Sequence, residues 1–359
     1  MGSPKRTRGW LLAMLLLAAA CAGPSASPGA PAPAAGAPAA GAAGAPAAAP
    51  TVPPLVSLRT AYTTTTPSMA SLWAAKDGGY FERYGIDADV SFIRAGSEVL
   101  GAVASGEIPL ALGGGFEFMA AALEGSEHVM LGGTQGTLTV SLYAAPTVRS
   151  VADLRGQAIG VSRFGAITHF GALKILERYG LRAGDDVAVI QTGGVPESLA
   201  AMQSGASQAA ILTPPNTLHA RQLGFALLVD TAPLNIPNQG SVIASTRGFV
   251  RDQPALAERY ISALIEGLHR YLTDREFGIT TIGRYTRTDD RDILAESYDY
   301  YDGTMERDLT PSLPGLQAQL DELASSKPQA QSARPEQFLD LGPLERIKAS
   351  GLVERLYAP

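Results

Sequence analysis

Tyr62–Ser68, Gly96–Ser97, Gly113–Glu117, Ser162–Thr168, Gly193–Glu197 and Thr213–Asn216 each gather hydroxyls or glycine amides between a short apolar run and an amphipathic stretch. That is where the C-terminal end of a strand feeds the start of a helix. A helix start exposes unpaired N–H groups and a positive dipole end, which hold an anion without a formal cation. Thr65, Ser68, Ser97, Thr168 and Asn216 supply hydroxyl or amide groups for a polar head, and Arg163 can pair bidentately with a carboxylate or sulfonate. Tyr62, Phe116 and Phe164 can wall an organic portion. Trp73 reads as core instead, and Glu98, Glu117 and Glu197 as helix-start charges.

Covalent or metal chemistry finds little support. The four histidines, His128, His169, His219 and His269, make neither an H-x-x-x-H nor an H-E-x-x-H spacing. No G-x-S-x-G elbow occurs, and Asp289, Asp290 and Asp292 read as a helix start. His169 follows Thr168 in a candidate loop and reads as a capping or surface residue. No catalytic residue, metal site or cofactor is expected.

The elements that must position these loops repeat. Glu98-Val-Leu100-Gly-Ala102-Val-Ala-Ser105-Gly106 and Glu197-Ser-Leu199-Ala-Ala201-Met-Gln-Ser204-Gly205 share the pattern E-x-L-x-A-x-x-S-G. Each reads as a helix ended by a glycine and followed by a short apolar strand. Similar flanks predict two α/β halves of related plan. In the first, strands are expected at Val56–Ala61, Asp87–Ile93 and His128–Leu131, with one helix from Met69 to Tyr84. Ser141–Ala144 is expected to run toward the second half. There, helices are expected at Ile167–Tyr179 and Asn216–Leu223, and strands at Val187–Gln191 and Ala226–Val229. Alternating strands and helices imply mostly parallel sheets. Gln239–Ala244 is expected to cross back, and Pro254–Leu272 is a strongly amphipathic helix.

With 46% apolar and 17% charged residues the body is globular, and 359 residues suffice for two cores. The net charge of −6 gives no reason to expect nucleic acid as a partner. Lys5, Arg6 and Arg8 precede the apolar run Trp10–Ala20, which is short for a bilayer span and reads as an export signal. It ends at Cys21, the single cysteine, in the sequence Leu17-Ala-Ala-Ala20-Cys21. Residues 22–54 are almost entirely Ala, Pro, Gly and Ser and read as a tether. The expected organisation is a signal at 1–21, a tether at 22–54, a first lobe at 55–148, a second at 149–243, and a return to the first lobe at 244–359.

The Leu17–Cys21 stretch resembles a bacterial lipobox, which implies a lipid on Cys21 and a place in the periplasm or on the outer cell surface. Four further motifs resemble the nitrate/sulfonate/taurine-type solute-binding proteins of ABC transporters and their thiamine-pyrimidine-precursor relatives. They are Ala74–Ile86, Ala104–Ile108 (like SGEID, with Pro109 in place of Asp), Asp153–Val161 (like DLKGKKIGV), and Phe338–Asp340 followed by Ser350-Gly351. The resemblance spans residues 56–357. It implies an α/β, two-lobed periplasmic binding protein type II architecture with the ligand between the lobes. It also implies a monomer that gives a small, anionic or neutral organic molecule to an ABC permease, closing on hinges near Ala145–Ser150 and Gly240–Ala244. Two alternatives stay open: a periplasmic ligand sensor, and an enzyme on the same fold, like the pyrimidine synthases or a menaquinone-pathway lyase.

Overall fold

The computed structural model describes residues 54–358 except Ala95, and leaves the side chains of Gly96 and Ser97 undescribed. The expected signal, Cys21 and all of the tether but Pro54 lie outside the described residues.

The chain starts with β1 (Val56–Tyr62), α1 (Ala70–Asp77), α2 (Tyr80–Arg83), β2 (Ile86–Phe92), α3 (Gly96–Ala104), β3 (Leu110–Gly114), α4 (Gly115–Leu123) and β4 (His128–Gly133). It continues with β5 (Ser141–Ala144), β6 (Ala158–Val161), α5 (Ile167–Arg178), β7 (Ala188–Gln191), α6 (Val195–Gln203), β8 (Ala209–Leu212), α7 (Asn216–Gln222) and β9 (Ala226–Asp230). It ends with β10 (Ser241–Thr246), α8 (Arg247–Asp252), α9 (Pro254–Thr273), α10 (Arg275–Thr286), α11 (Arg291–Asp302), α12 (Leu313–Leu323), α13 (Gly342–Ala349) and α14 (Leu352–Leu356).

Two five-stranded sheets result, ordered β2-β1-β3-β10-β4 and β7-β6-β8-β5-β9. Position by position the plan is the same. In each, three strands are parallel and the fourth is an antiparallel strand that has just arrived from the other lobe. The expectation of mostly parallel sheets holds for four strands of each five, with the crossing strand alone reversed. A chain crossing between lobes enters the new sheet at its cleft end, so it must run away from the cleft, against strands that run toward it. Ser241 pairs with Gly114, and Ser141 with Leu212, at those cleft ends.

The lobe boundaries also move. Because β5 pairs with β8 and β9, Ser141–Ala144 belongs to the second sheet and the first lobe does not extend to residue 148. Because β10 begins at Ser241, the second lobe ends before residue 243. The chain crosses at residues 134–140 and 231–240, and these passages lie side by side. Leu138 N–H donates to Ile236 O (2.9 Å), Gly240 N–H to Gln135 O (3.0 Å) and Thr134 N–H to Ser241 O (2.8 Å). Thr231 Oγ1 accepts from Val140 N–H at 2.9 Å. Ala145–Ser150, expected as a hinge, comes after β5 inside the second lobe.

The repeated motif has one geometry in both lobes. Ser105 Oγ donates to Ala102 O and Ser204 Oγ to Ala201 O, both at 3.1 Å. Gly106 and Gly205 then both turn left-handed at φ 76°. Serine satisfies a carbonyl the ending helix would leave bare, and glycine accepts the positive φ that aims the chain into the next strand. The helix expected from Met69 to Tyr84 is instead broken at Gly78-Gly79, where Gly79 adopts φ 71°.

Alternation along the lobe 1 strands separates two cores. Leu110, Leu112, Leu131 and Ile243 pack with Trp73, Tyr260, Tyr271 and Tyr301 beneath α1, α9 and α11. Ala111, Met130, Val242 and Ala244 face α3, α4 and α12. In lobe 2, Leu142, Ile159 and Ile211 pack with Phe170 and Ile175 of α5. α9 lies so close to α1 that a Cβ on Gly267 would sit 2.5 Å from Ala75 N.

Candidate functional site

The cleft ends of both sheets face one cavity of about 540 Å³. Lobe 1 lines it with Thr63–Thr66, Ser68, Phe92 and Gly114–Glu117; lobe 2 with Ser162, Arg163, Gly165–Thr168, Gly193–Glu197, Thr213 and Asn216. Gln135, Thr139, Gln239 and Gly240 of the two passages reach it, as does Gln319 of α12. Thr286–Thr288 and Tyr301 complete the wall.

The loops are braced by their own side chains. In lobe 1, Thr66 Oγ1 and Ser68 Oγ share a hydrogen bond of 2.9 Å. In lobe 2, Thr168 Oγ1 accepts from Ser162 N–H (3.0 Å) and bonds Ser162 Oγ (2.7 Å). Phe164 N–H donates to Gln191 Oε1 (2.9 Å) and Gly165 N–H to His169 Nδ1 (3.2 Å). An accepting Nδ1 requires the neutral imidazole, in keeping with burial, which holds the His169 pKa below its ordinary value. His169 therefore anchors the loop.

Several helix starts at the cavity lack a side-chain cap. α4, α5 and α6 follow Gly114, Ala166 and Gly194, and none receives a side-chain cap. Elsewhere α8, α10, α11 and α12 are capped by Thr246, Asp274, Asp290 and Ser312, whereas α2, α9, α13 and α14 are not. Gly115 N–H of α4 donates to Gly240 O (3.1 Å) and His169 N–H of α5 to Ala166 O (2.9 Å); the other uncapped first-turn N–H groups suit a partner in the cleft.

Charges meet across the cleft. Arg94, following β2, pairs with Glu197 of α6 at 2.9 Å. Burial pushes the Glu117 carboxyl above its ordinary pKa, and the Arg163 guanidinium of the opposite lobe pulls it back. Below them Gln319 ties α12 to the second passage: its Nε2 donates to Asn238 Oδ1 (2.8 Å) and Gln239 O (2.7 Å).

A family model described as NMT1/THI5 like matches residues 66–276. The chain belongs to the NMT1/THI5-like family. No sequence among curated proteins matches it. Among solved structures it is similar to the periplasmic aliphatic sulphonate-binding protein SsuA of Escherichia coli: TM-score 0.64, 19% identity, covering 80% of this chain and 91% of that one. The alkanesulfonate-binding SsuA of Xanthomonas axonopodis pv. citri, bound to MOPS, gives TM-score 0.64 and 19% identity over 81% and 98%. The periplasmic nitrate-binding protein NrtA of Synechocystis PCC 6803 gives TM-score 0.64 and 13% identity over 85% and 90%. The fold of this NMT1/THI5-like chain is thus the periplasmic binding protein fold.

Of the residues singled out from sequence, Thr65, Ser68, Phe116, Arg163, Thr168 and Asn216 line the cavity of this NMT1/THI5-like chain. Ser97 sits in the first turn of α3, its side chain outside the described residues. Two expectations are corrected. Tyr62 does not line the cavity: it is buried behind Phe92 (5.3 Å between ring centroids) and meets Trp73 edge-on (5.6 Å), because β1 turns it toward the core. Phe164 is 57% exposed and leans on His169 outside the cavity. Glu117 and Glu197, read as helix-start charges, are in first turns and also line the cavity. Trp73 is core, as expected. Sequence reasoning missed Gln135, Gln239, Arg287, Tyr301 and Gln319. None belongs to a strand-to-helix loop, so no local pattern marked them.

Proposed function

We propose that this NMT1/THI5-like chain is the solute-binding component of an ABC importer, acting outside the cytoplasm. It captures a small organic molecule between its lobes and delivers it to a membrane permease, without chemical turnover. The observation that carries this is the convergence of three uncapped helix starts, from both lobes, on one cavity with apolar walls. Such starts suit an acidic group, and about 540 Å³ exceeds what a bare inorganic anion fills. The SsuA proteins of the same fold, named for binding sulphonates, agree in ligand class; NrtA, named for binding nitrate, agrees only in the acidic character of its ligand.

Thr65, Ser68, Phe116, Arg163, Thr168 and Asn216 make the ligand contacts in this reading. Contacts from both lobes favour closure, with bending in the paired passages at residues 134–140 and 231–240. A lipid on Cys21 and the tether at residues 22–54 hold a monomeric body at the membrane surface, in the periplasm or on the outer face.

Thermal unfolding against nitrate, bicarbonate, alkanesulfonates, aromatic carboxylates and pyrimidines tests it. A ligand at a hundred times its dissociation constant adds about 2.7 kcal/mol. A solute that raises the midpoint and is recovered unchanged supports capture; a solute returned as product would overturn it.

A further inference from the structure

Three arginines and two glutamates line the cleft: Arg94, Arg163 and Arg287 against Glu117 and Glu197. Glu197 holds Arg94 in an ion pair; Arg163 makes no ion pair among the described residues, and it meets Glu117 only through its field across the cleft. Arg287 makes no hydrogen bond and no ion pair among the described residues. A chain of net charge −6 thus keeps one uncompensated positive charge at its cleft.

The backbone beneath that charge is unusual. Arg287 ends α10 in the left-handed region at φ 57°, a position that favours glycine or asparagine. Thr286 closes the helix by donating from Oγ1 to Ile282 O at 2.8 Å, and Thr286 and Thr288 line the cavity on either side. The guanidinium lies near enough to the Tyr62 phenol to oppose the effect of burial on it. Arg287 lies beyond residues 66–276, the stretch that the family model matches.

We propose that Arg287 selects for solutes bearing an acid group, by presenting an unpaired guanidinium at the cleft to the carboxylate or sulfonate of a small organic ligand. This rests on the solute-capture reading above. Arg94, held by Glu197, then contributes to shape and closure more than to charge selection, while Arg163 contacts the ligand beside Arg287.

The test uses matched pairs differing in charge: butanesulfonate with butanesulfonamide, and benzoate with benzamide. Binding is measured by calorimetry to the wild type, Arg287→Asn and Arg287→Lys. Asparagine tolerates the left-handed turn and removes the charge; lysine keeps the charge. The expected result is acid binding by the wild type, about tenfold or more weaker in Arg287→Asn, largely restored in Arg287→Lys. The unfolding midpoint of Arg287→Asn should stay at the wild-type value, and acid binding should weaken with added salt in the wild type and Arg287→Lys more than in Arg287→Asn. Acids that bind the Asn variant equally well overturn the Arg287 proposal and leave solute capture standing. So does a panel in which only neutral solutes bind. A panel in which neither acids nor neutral solutes bind overturns both.

Discussion

Lobe 1 buries Trp73, Tyr260, Tyr271, Tyr298 and Tyr301 in the cluster on one face of its sheet, whereas the matching cluster of lobe 2 holds Phe170 as its one aromatic among the described residues. The sheets share a strand order, so most of the difference comes from the helices added after the last strand, which carry all of these but Trp73 of α1. The chain returns to lobe 1 through β10 and lays the whole C-terminal helical region there. One plan thus yields a heavily packed platform and a lighter jaw. Their cleft loops differ in the same sense. Lobe 1 offers a run of threonine hydroxyls backed by aromatic core, and lobe 2 offers two uncapped helix starts, at α5 and α6.

The strongest way to break this contrast is to hollow the platform. Trp73→Ala removes a fully buried ring stacked on Tyr285 at 4.8 Å and should cost about 3–5 kcal/mol in urea unfolding. A loss below about 1 kcal/mol would mean that the helical wrap is not what stabilises lobe 1.

Glycine substitutions sharpen the contrast next. A Cβ on Gly267 would strike the backbone of Ala74 and Ala75, whereas one on Gly171 of lobe 2 would meet a Val140 methyl at 2.6 Å. Gly267→Ala should cost about 1–3 kcal/mol, and Gly171→Ala less, because a side chain yields more easily than a helix backbone. Thermal denaturation showing the reverse order would place the tighter packing in lobe 2.

Titrating groups at the cleft, and His128 at the far end of the lobe 1 sheet, give a smaller, pH-dependent effect. Burial raises the Glu117 pKa above 4.5, so its contribution to stability is complete below that value and is lost as pH rises through the folded-state pKa. Glu117→Gln should therefore flatten the melting profile just above pH 4.5. His128 in lobe 1 and His169 in lobe 2 have the opposite sign. Burial lowers both below 6.5, so the stability present above 6.5 is lost as pH falls below it. Melting curves of His128→Gln and His169→Gln between pH 7 and 5 report each lobe separately; a wild-type loss unchanged in both variants would exclude these groups.

The smallest effect is expected at the Arg94–Glu197 pair, whose side chains are 61% and 43% exposed. Glu197→Gln should change stability by less than about 1 kcal/mol and loosen closure slightly, with high salt mimicking it. Scattering that shows a fully open Gln variant at low salt would make this pair the main latch.

Much of this was legible from local pattern. The E-x-L-x-A-x-x-S-G repeat named its helices, their glycine ends and the strands after them, because each depends on a few neighbouring residues. The same reasoning found the loops holding Thr65, Ser68, Phe116, Arg163, Thr168 and Asn216. It failed where side-chain direction mattered: Tyr62 and Phe164 flank cleft loops in sequence, yet one turns into the core and the other to solvent. It failed again where distant segments meet, as at Gln239 and Gln319 or at Arg287.

The order of helices and strands, the duplicated plan and the loops at strand ends were determined by the sequence alone, since periodicity, glycine turns and helix starts are short-range properties. Tertiary structure alone decided which lobe owns β5 and β10, that the crossings are residues 134–140 and 231–240, and that Arg287 faces the cleft unpaired. Those outcomes depend on pairing between residues about a hundred positions apart and on where the C-terminal helices come to rest, and no window of sequence contains either partner's surroundings.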